Sequence, residues 1–205
     1  MTSGHPMRFI VLNVIGEKME TKLNLGCGKF KKEGYKNLDY DPRTKPDVLH
    51  DLNVFPYPFK DNIFDEVYSS HVLEHLDKPF EVMAQIHRIL KPKGKLTLLL
   101  PHFSRGMTNT THKHCFDVAF PFYFQKDYQG TRAGDNFKLI SMKFNWFGQP
   151  DLKITKLGFF KYNIGLYLGK VFTFLANLSP YACSRIWCFW VGGFDEIKFE
   201  MEKEK

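Results

Sequence analysis

The chain has 205 residues, 43% of them apolar and 25% charged, with a formal charge of +7. That length fits one α/β domain with a modest elaboration, and the composition excludes a disordered or fibrous chain. The charge favours anionic partners, namely nucleic acid, phosphorylated glycans or a membrane surface. Cys27, Cys115, Cys183 and Cys188 form no CxxC pair and no zinc spacing, so a disulfide scaffold and a structural zinc site are not expected, and a cytoplasmic, reducing setting is.

Taken in chain order, residues 1–20 read as an N-terminal extension to a single domain over 21–205. The apolar run Phe9–Ile15 is interrupted by Asn13 and is too short for a membrane span. Residues 21–100 alternate strand-like segments with turns and helices, the pattern of βαβ units around a parallel sheet. A first strand is expected at Lys22–Leu25, a second at Lys36–Leu38 and a third at Val48–Leu49. The prolines of "FPYPF" (55–59) make that stretch loop. A fourth strand at Glu66–Tyr68 leads into a helix with Asp77 as N-cap and Pro79 in its first turn. Val82, Met83, Ile86, Ile89 and Leu90 give this helix an apolar stripe, and "KPKG" (91–94) stops it. "KLTLLLP" (95–101) reads as a buried central strand.

Beyond Pro101 the pattern loosens. Residues 102–135 read as an active-site insertion or lid, 137–147 as a strand, 164–178 as a helix, and 195–202 as a late edge strand. Residues 148–193 make a second substrate-side insertion. Its segments "IGLYLGKVFTFL" (164–175) and "IWCFWVGG" (186–193) suggest a peripheral membrane contact through 160–193, with Lys161, Lys170 and Arg185 at head groups.

Residues of chemical interest cluster just after the strands, where open α/β sheets bind ligands. Gly26, Cys27 and Gly28 follow the first strand, where glycine allows close backbone approach to a ligand. Asp39 ends the second strand and can accept two ribose hydroxyls. Asp51 and Leu52 end the third, where a carboxylate and the next N–H can meet an adenine.

Together, "LNLGCGK", "NLDYD", "DVLHDLNVFPYPFKDNIFDEVYSSHVLEHL" and "RILKPKGKLTLLLP" resemble class I S-adenosylmethionine-dependent methyltransferases, in the type 11 branch. The resemblance covers residues 22–101. It implies a Rossmann-like seven-stranded sheet, mostly parallel with a reversed C-terminal strand near one edge, and helices on both faces. It implies S-adenosyl-L-methionine as cofactor and S-adenosyl-L-homocysteine as product. By position, Gly26, Cys27 and Gly28 would face the methionine part, Asp39 the ribose, Asp51 and Leu52 the adenine, and Ser70 and His71 the sulfonium end. Only eleven residues separate Gly28 from Asp39, so the first helix must be very short or absent.

A methyl acceptor must be aligned and, for a hydroxyl or amine, deprotonated. His71, His75, His102, His112 and His114 are the candidates, with His112 or His114 of "THKHCFD" (111–117) as base and His71 lining the site. On a strand, His112 and His114 would share a face. The pair Glu74–His75 reads as structural. In some quinone-biosynthesis relatives an E-V-L-E-H pattern holds a divalent metal, but His71 replaces its first Glu, and no metal is expected. The acceptor expected is a small molecule, a sugar or a lipid-linked group, methylated at oxygen. The alternatives are an RNA methyltransferase, supported by charge alone and lacking an asparagine-proline motif after the fourth strand, and a non-catalytic cofactor-binding subunit.

Overall fold

A computed structural model describes residues 21–126, 128 and 136–204; the expected extension at 1–20 and part of the expected lid lie outside them. Seven strands form one sheet in the order β3-β2-β1-β4-β5-β7-β6. They are β1 (Lys22–Leu25), β2 (Lys36–Asp39), β3 (Val48–Leu49), β4 (Phe64–Ser70), β5 (Leu90–Pro101), β6 (Phe137–Asn145) and β7 (Glu196–Lys203). The first five are parallel, and β7 runs antiparallel between β5 and β6. This is the Rossmann-like methyltransferase sheet with its reversed last strand. The last strand is not at the edge, as its alternating charges suggested. Its apolar residues Ile197, Phe199 and Met201 are fully or almost fully buried, and β6 takes the edge.

The chain leaves β1 towards β2 on one side and later crosses to β4 on the other. This is a topological switch point, and it opens a crevice at the carboxyl ends of these strands. No helix separates β1 from β2 among the described residues, in agreement with their short spacing. Asn37 does a helix's work there: its side chain accepts from the Lys32 N–H and the Asn24 side chain, and donates to the carbonyls of Lys32 and Tyr35. These bonds satisfy the backbone of a loop that would otherwise be left open beside the sheet.

The helix α1 (Pro79–Ile89) buries Val82, Met83, Ile86 and Ile89 completely. Asp77 is not its N-cap. Lys78 takes that position without a side-chain cap bond, while Asp77 pairs with Lys113 at 2.6 Å. The helix ends directly in β5, which runs through "KPKG" with an irregularity in its pairing to β4 between Phe64 and Glu66. After β5 comes a single helical turn, α2 (Phe103–Gly106). The expected helix at 164–178 starts much earlier, as α3 (Pro150–Leu178), with a kink at Gly158. A short helix Pro180–Ala182 then passes into a π-helical turn, Cys183–Trp187.

The core is continuous across the sheet, from Leu23, Leu25 and Leu38 through Leu96, Leu98 and Leu100 to Phe144, Phe194 and Phe199. His102 is buried within it, with its ring nitrogens against the hydroxyls of Ser104 (2.7 Å) and Ser184 (3.1 Å). It is a core histidine and takes no part in the site.

Candidate active site

The crevice at the switch point holds a cavity of about 490 Å³, lined by Gly26, Asp39, Tyr40, His50, Asp51, Leu52, Asn53, His71, Val72, His75 and Leu76. Five of the expected cofactor residues, Gly26, Asp39, Asp51, Leu52 and His71, meet here. Cys27, Gly28 and Ser70 do not line the cavity. Cys27 is buried, and burial, followed by the charge of Asp39, pushes its thiol pKa up. Gly28 contributes its N–H, which donates to Asp39 Oδ2 at 2.7 Å.

Each residue is held for a physical reason. Gly26 has φ +64°, and a Cβ there would lie 2.4 Å from Val72 Cγ2, so the turn after β1 admits only glycine without rearrangement. Asp39 is 6% exposed and accepts the Gly28 N–H on one oxygen and the Asp41 N–H on the other (2.9 Å). Each oxygen keeps a lone pair for a ligand hydroxyl. Asp51 turns the chain by accepting the Asn53 N–H at 2.9 Å, and the Asn53 side chain in turn accepts the Asp77 N–H at 2.9 Å. Tyr57 donates to the Leu52 carbonyl at 3.1 Å and fixes the same loop from below.

His71 follows β4 with φ +54°, a strained conformation for a residue with a side chain. Its Nε2 lies 2.9 Å from Glu196 Oε1 and its Nδ1 3.3 Å from Glu74 Oε1. The first contact is a hydrogen bond, whereas the second is an ion-pair contact not aligned for one. Burial alone would lower the His71 pKa; the hydrogen bonding and charges of Glu196 and Glu74 outweigh it and raise the value to about 9. At neutral pH the ring is an imidazolium between two carboxylates. It cannot serve as a base there.

A second cavity of about 480 Å³ adjoins the first and shares His71 and His75 with it. Its other walls are Glu74, Arg105, Gly106, Thr108, Asn109, His112, Gly148, Gln149, Lys153, Asp195 and Glu196. Asp195 gathers this wall, accepting from Arg105 Nη1 at 3.0 Å, from the Gly148 N–H at 2.8 Å and from the Lys153 ammonium. The two imidazoles at the rim share one arrangement. His75 Nδ1 lies 3.1 Å from the Thr111 carbonyl, and His112 Nδ1 lies 2.9 Å from the Gly106 carbonyl. A carbonyl only accepts, so each Nδ1 donates to it, and His75 Nε2 lies 3.9 Å from Glu74 Oε1. His114 lines neither cavity, and residues 111–115 form no strand that would put it on one face with His112.

One ligand atom each of Glu74, His75 and His112 lies within 4.8 Å of the others, a spacing that suits a metal ion. The buried Glu74 carboxylate already faces the His71 imidazolium, which balances its charge. Arg105, Asp195, Glu196 and Lys153 went unrecognised in the sequence. They lie on loops or at strand and helix ends up to 125 residues from His71, and no local pattern marks them.

Residues 33–98 match the model of a methyltransferase domain. A stretch of 48 residues is 46% identical to an uncharacterized protein of Methanocaldococcus jannaschii, covering 23% of this chain and 21% of that one. Another of 87 residues is 31% identical to phosphoethanolamine N-methyltransferase 2 of Caenorhabditis elegans, covering 42% of this chain and 19% of that one. These matches span about a fifth of the length of the curated relatives. Among solved structures, a SAM-dependent methyltransferase from Archaeoglobus fulgidus superposes with a TM-score of 0.57 at 17% identity, covering 90% of this chain and 86% of that one. The fold is that of the class I S-adenosylmethionine-dependent methyltransferases. Within that fold, the matched segment, less than half of the chain, is similar to a methyltransferase domain.

The first cavity fits the cofactor of this class on three independent grounds. Its volume lies in the range of small-molecule sites, the glycine cradle at Gly26 would be filled by any side chain, and Asp39 keeps acceptor capacity at the cavity wall.

Proposed function

We propose that the chain transfers the methyl group of S-adenosylmethionine to a hydroxyl oxygen of a polar, sugar-like acceptor seated in the second cavity. The observation that carries this reading is the junction of the two cavities at His71, which lines both. A cofactor in the first cavity would present its sulfonium methyl to an acceptor in the second.

S-adenosylmethionine supplies the electrophilic methyl group. The residues of the chain do the rest. Asp39 would hold the ribose through two hydroxyls, and the Asp51–Leu52 turn would frame the adenine. Glu74 and Glu196 keep His71 protonated and fixed, with its Nε2–H donated to Glu196 and its charge facing Glu74. His112 acts as the base: it lines the acceptor cavity, and with its Nδ1–H tied to the Gly106 carbonyl its Nε2 is the nitrogen left to take a proton. His114 is set aside as base because it stands outside both cavities. The polar walls, with Arg105, Lys153 and the His71 imidazolium balanced by Asp195, Glu196 and Glu74, favour an uncharged polyhydroxylated group over an anion.

The test is methyl transfer from labelled cofactor to a panel of free and lipid-linked sugars, with phosphoethanolamine as an amine acceptor. Turnover of a sugar hydroxyl, with kcat reduced about 10²–10³-fold in His112→Ala and little changed in His114→Ala, supports the reading. Preferential methylation of phosphoethanolamine would replace oxygen by nitrogen. Tight cofactor binding with no turnover of any acceptor favours the non-catalytic subunit.

A further inference from the structure

The helix α3 is inside out. Its residues Phe160, Ile164, Tyr167, Val171, Phe174 and Leu178 recur at intervals of four and three, the spacing of one helical face. In a soluble domain such a stripe normally packs against the core. Here Phe160 is 79% exposed, Tyr167 70% and Phe174 65%.

The face that does pack combines small and polar residues with Tyr162 and Phe172, whose rings meet Phe147 and Trp146. A Cβ at Gly165 or at Gly169 would lie 2.8 Å from the Phe147 side chain. The Thr173 hydroxyl accepts the Trp146 N–H at 3.0 Å, and the Asn177 side chain binds the backbone of Phe144 through both its N–H (2.7 Å) and its carbonyl (3.0 Å). These contacts fix the rotation of the helix, so the apolar stripe faces outward by construction. Past the end of α3 the surface continues. Leu175 and Trp190 line one shallow apolar groove, and Trp190 is 80% exposed. Patches of this extent mark an interaction site.

The charge pattern names the partner. No acidic residue occurs between Asp151 and Asp195, while Lys156, Lys161 and Lys170 stand exposed along the helix. Exposed Tyr167, Tyr181 and Trp190 add the aromatic types that settle at a bilayer interface. A second copy of the chain would bring the lysines of one stripe against those of the other. No helix is long and apolar enough to cross a membrane among the described residues. We propose that the stripe of α3 and the turn carrying Trp190 lie in the surface of an anionic lipid bilayer. Such an in-plane helix binds by apolar insertion together with attraction to anionic head groups. The inference is carried by exposure and charge and does not rest on the methyl-transfer reading. If both hold, the acceptor cavity, lined by Lys153, and the membrane-facing stripe are joined through the kink at Gly158, and a lipid-linked acceptor would be presented from that side.

The experiment is sedimentation of the full chain with sucrose-loaded vesicles of phosphatidylcholine alone and of phosphatidylcholine with phosphatidylglycerol. Binding to the anionic vesicles, at least tenfold weaker to the neutral ones, is expected. Phe160→Ser/Tyr167→Ser/Phe174→Ser should abolish it, and Lys156→Glu/Lys161→Glu/Lys170→Glu should weaken it at least tenfold. All six side chains are exposed, so an unchanged thermal midpoint should accompany the loss. Should the variants fold poorly, quenching of tryptophan emission by brominated-chain lipids, compared between the unaltered chain and Trp190→Phe, decides the matter. Three results overturn the proposal: no binding of the unaltered chain, binding untouched by the serine substitutions, or a dimer in solution that the serine substitutions dissociate while vesicles remain unbound.

Discussion

Asp39 carries two separate duties, and each can be measured. Its oxygens hold the Gly28 and Asp41 N–H groups, which shape the loop, and their remaining lone pairs face the cavity. Asp39→Ala is expected to lower S-adenosylmethionine affinity by about 1–3 kcal/mol, the scale of lost hydrogen bonds at a buried polar site. Titration calorimetry of both proteins checks this, and equal affinities would remove Asp39 from the ribose. Gly26 invites a sharper test, because its constraint is steric and has an identified partner. Gly26→Ala combines a positive φ with a methyl placed against Val72 and should cost about 1–3 kcal/mol of stability. Trimming the partner in Gly26→Ala/Val72→Ala should return part of the loss that comes from the clash and none that comes from the backbone. A double variant no more stable than the sum of the two single changes would show that the contact with Val72 does not matter.

At the scale of elements, legibility followed the range of the interactions. The strands β1 to β4 could be placed from sequence because turn residues bound each of them, and Gly26, Asp39, Asp51, Leu52 and His71 line the crevice because the fold opens it at strand ends. α3 was legible only over its second half, since Pro150 and Gly158 look like breaks, and its periodicity was read without knowing which side faced out. Periodicity defines a stripe, but only tertiary contacts such as those of Gly165 and Asn177 say what the stripe meets. Charge alternation alone hid the position of β7 inside the sheet, which the family resemblance implied, because charged residues at its alternate positions pair with neighbours on the sheet surface, as Glu200 does with Ser141 and Lys198. Asn177 is the element-scale test. Bridging both backbone groups of Phe144, it joins α3 to the edge strand. Asn177→Ala should cost about 1–3 kcal/mol by stranding those groups, and should raise amide exchange along 160–178 before it does so in β1 or β4. Uniform exchange across the chain would mean that α3 does not open separately.

For the whole molecule, the histidines set a pH window, and they act in opposite directions. Burial, and after it the charge of Arg185, lowers His102 to about 4. Burial, and after it Lys203, does the same for His87. An unfolded chain titrates both near 6.5. Below that pH the unfolded state takes protons the native state refuses, so this part of the stability is present above about 6.5 and is lost as the pH falls towards 4. For His102, which is fully buried, the loss by pH 4.5 is about 2 kcal/mol. His71 runs the other way. Raised to about 9 between Glu196 and Glu74, it stabilises the fold fully below about 6.5, and that contribution is lost as the pH rises through 9. Stability should therefore peak between about pH 6 and 7 and decline on both sides. Urea unfolding at pH 4.5, 6.5 and 8.5 reads the two limbs, and His71→Gln separates them, since it should flatten the alkaline limb and leave the acid one. If the alkaline limb survives His71→Gln unchanged, the imidazolium bridge between the two cavities is not what holds it. The ring would then be neutral at working pH and would stand again beside His112 as a base.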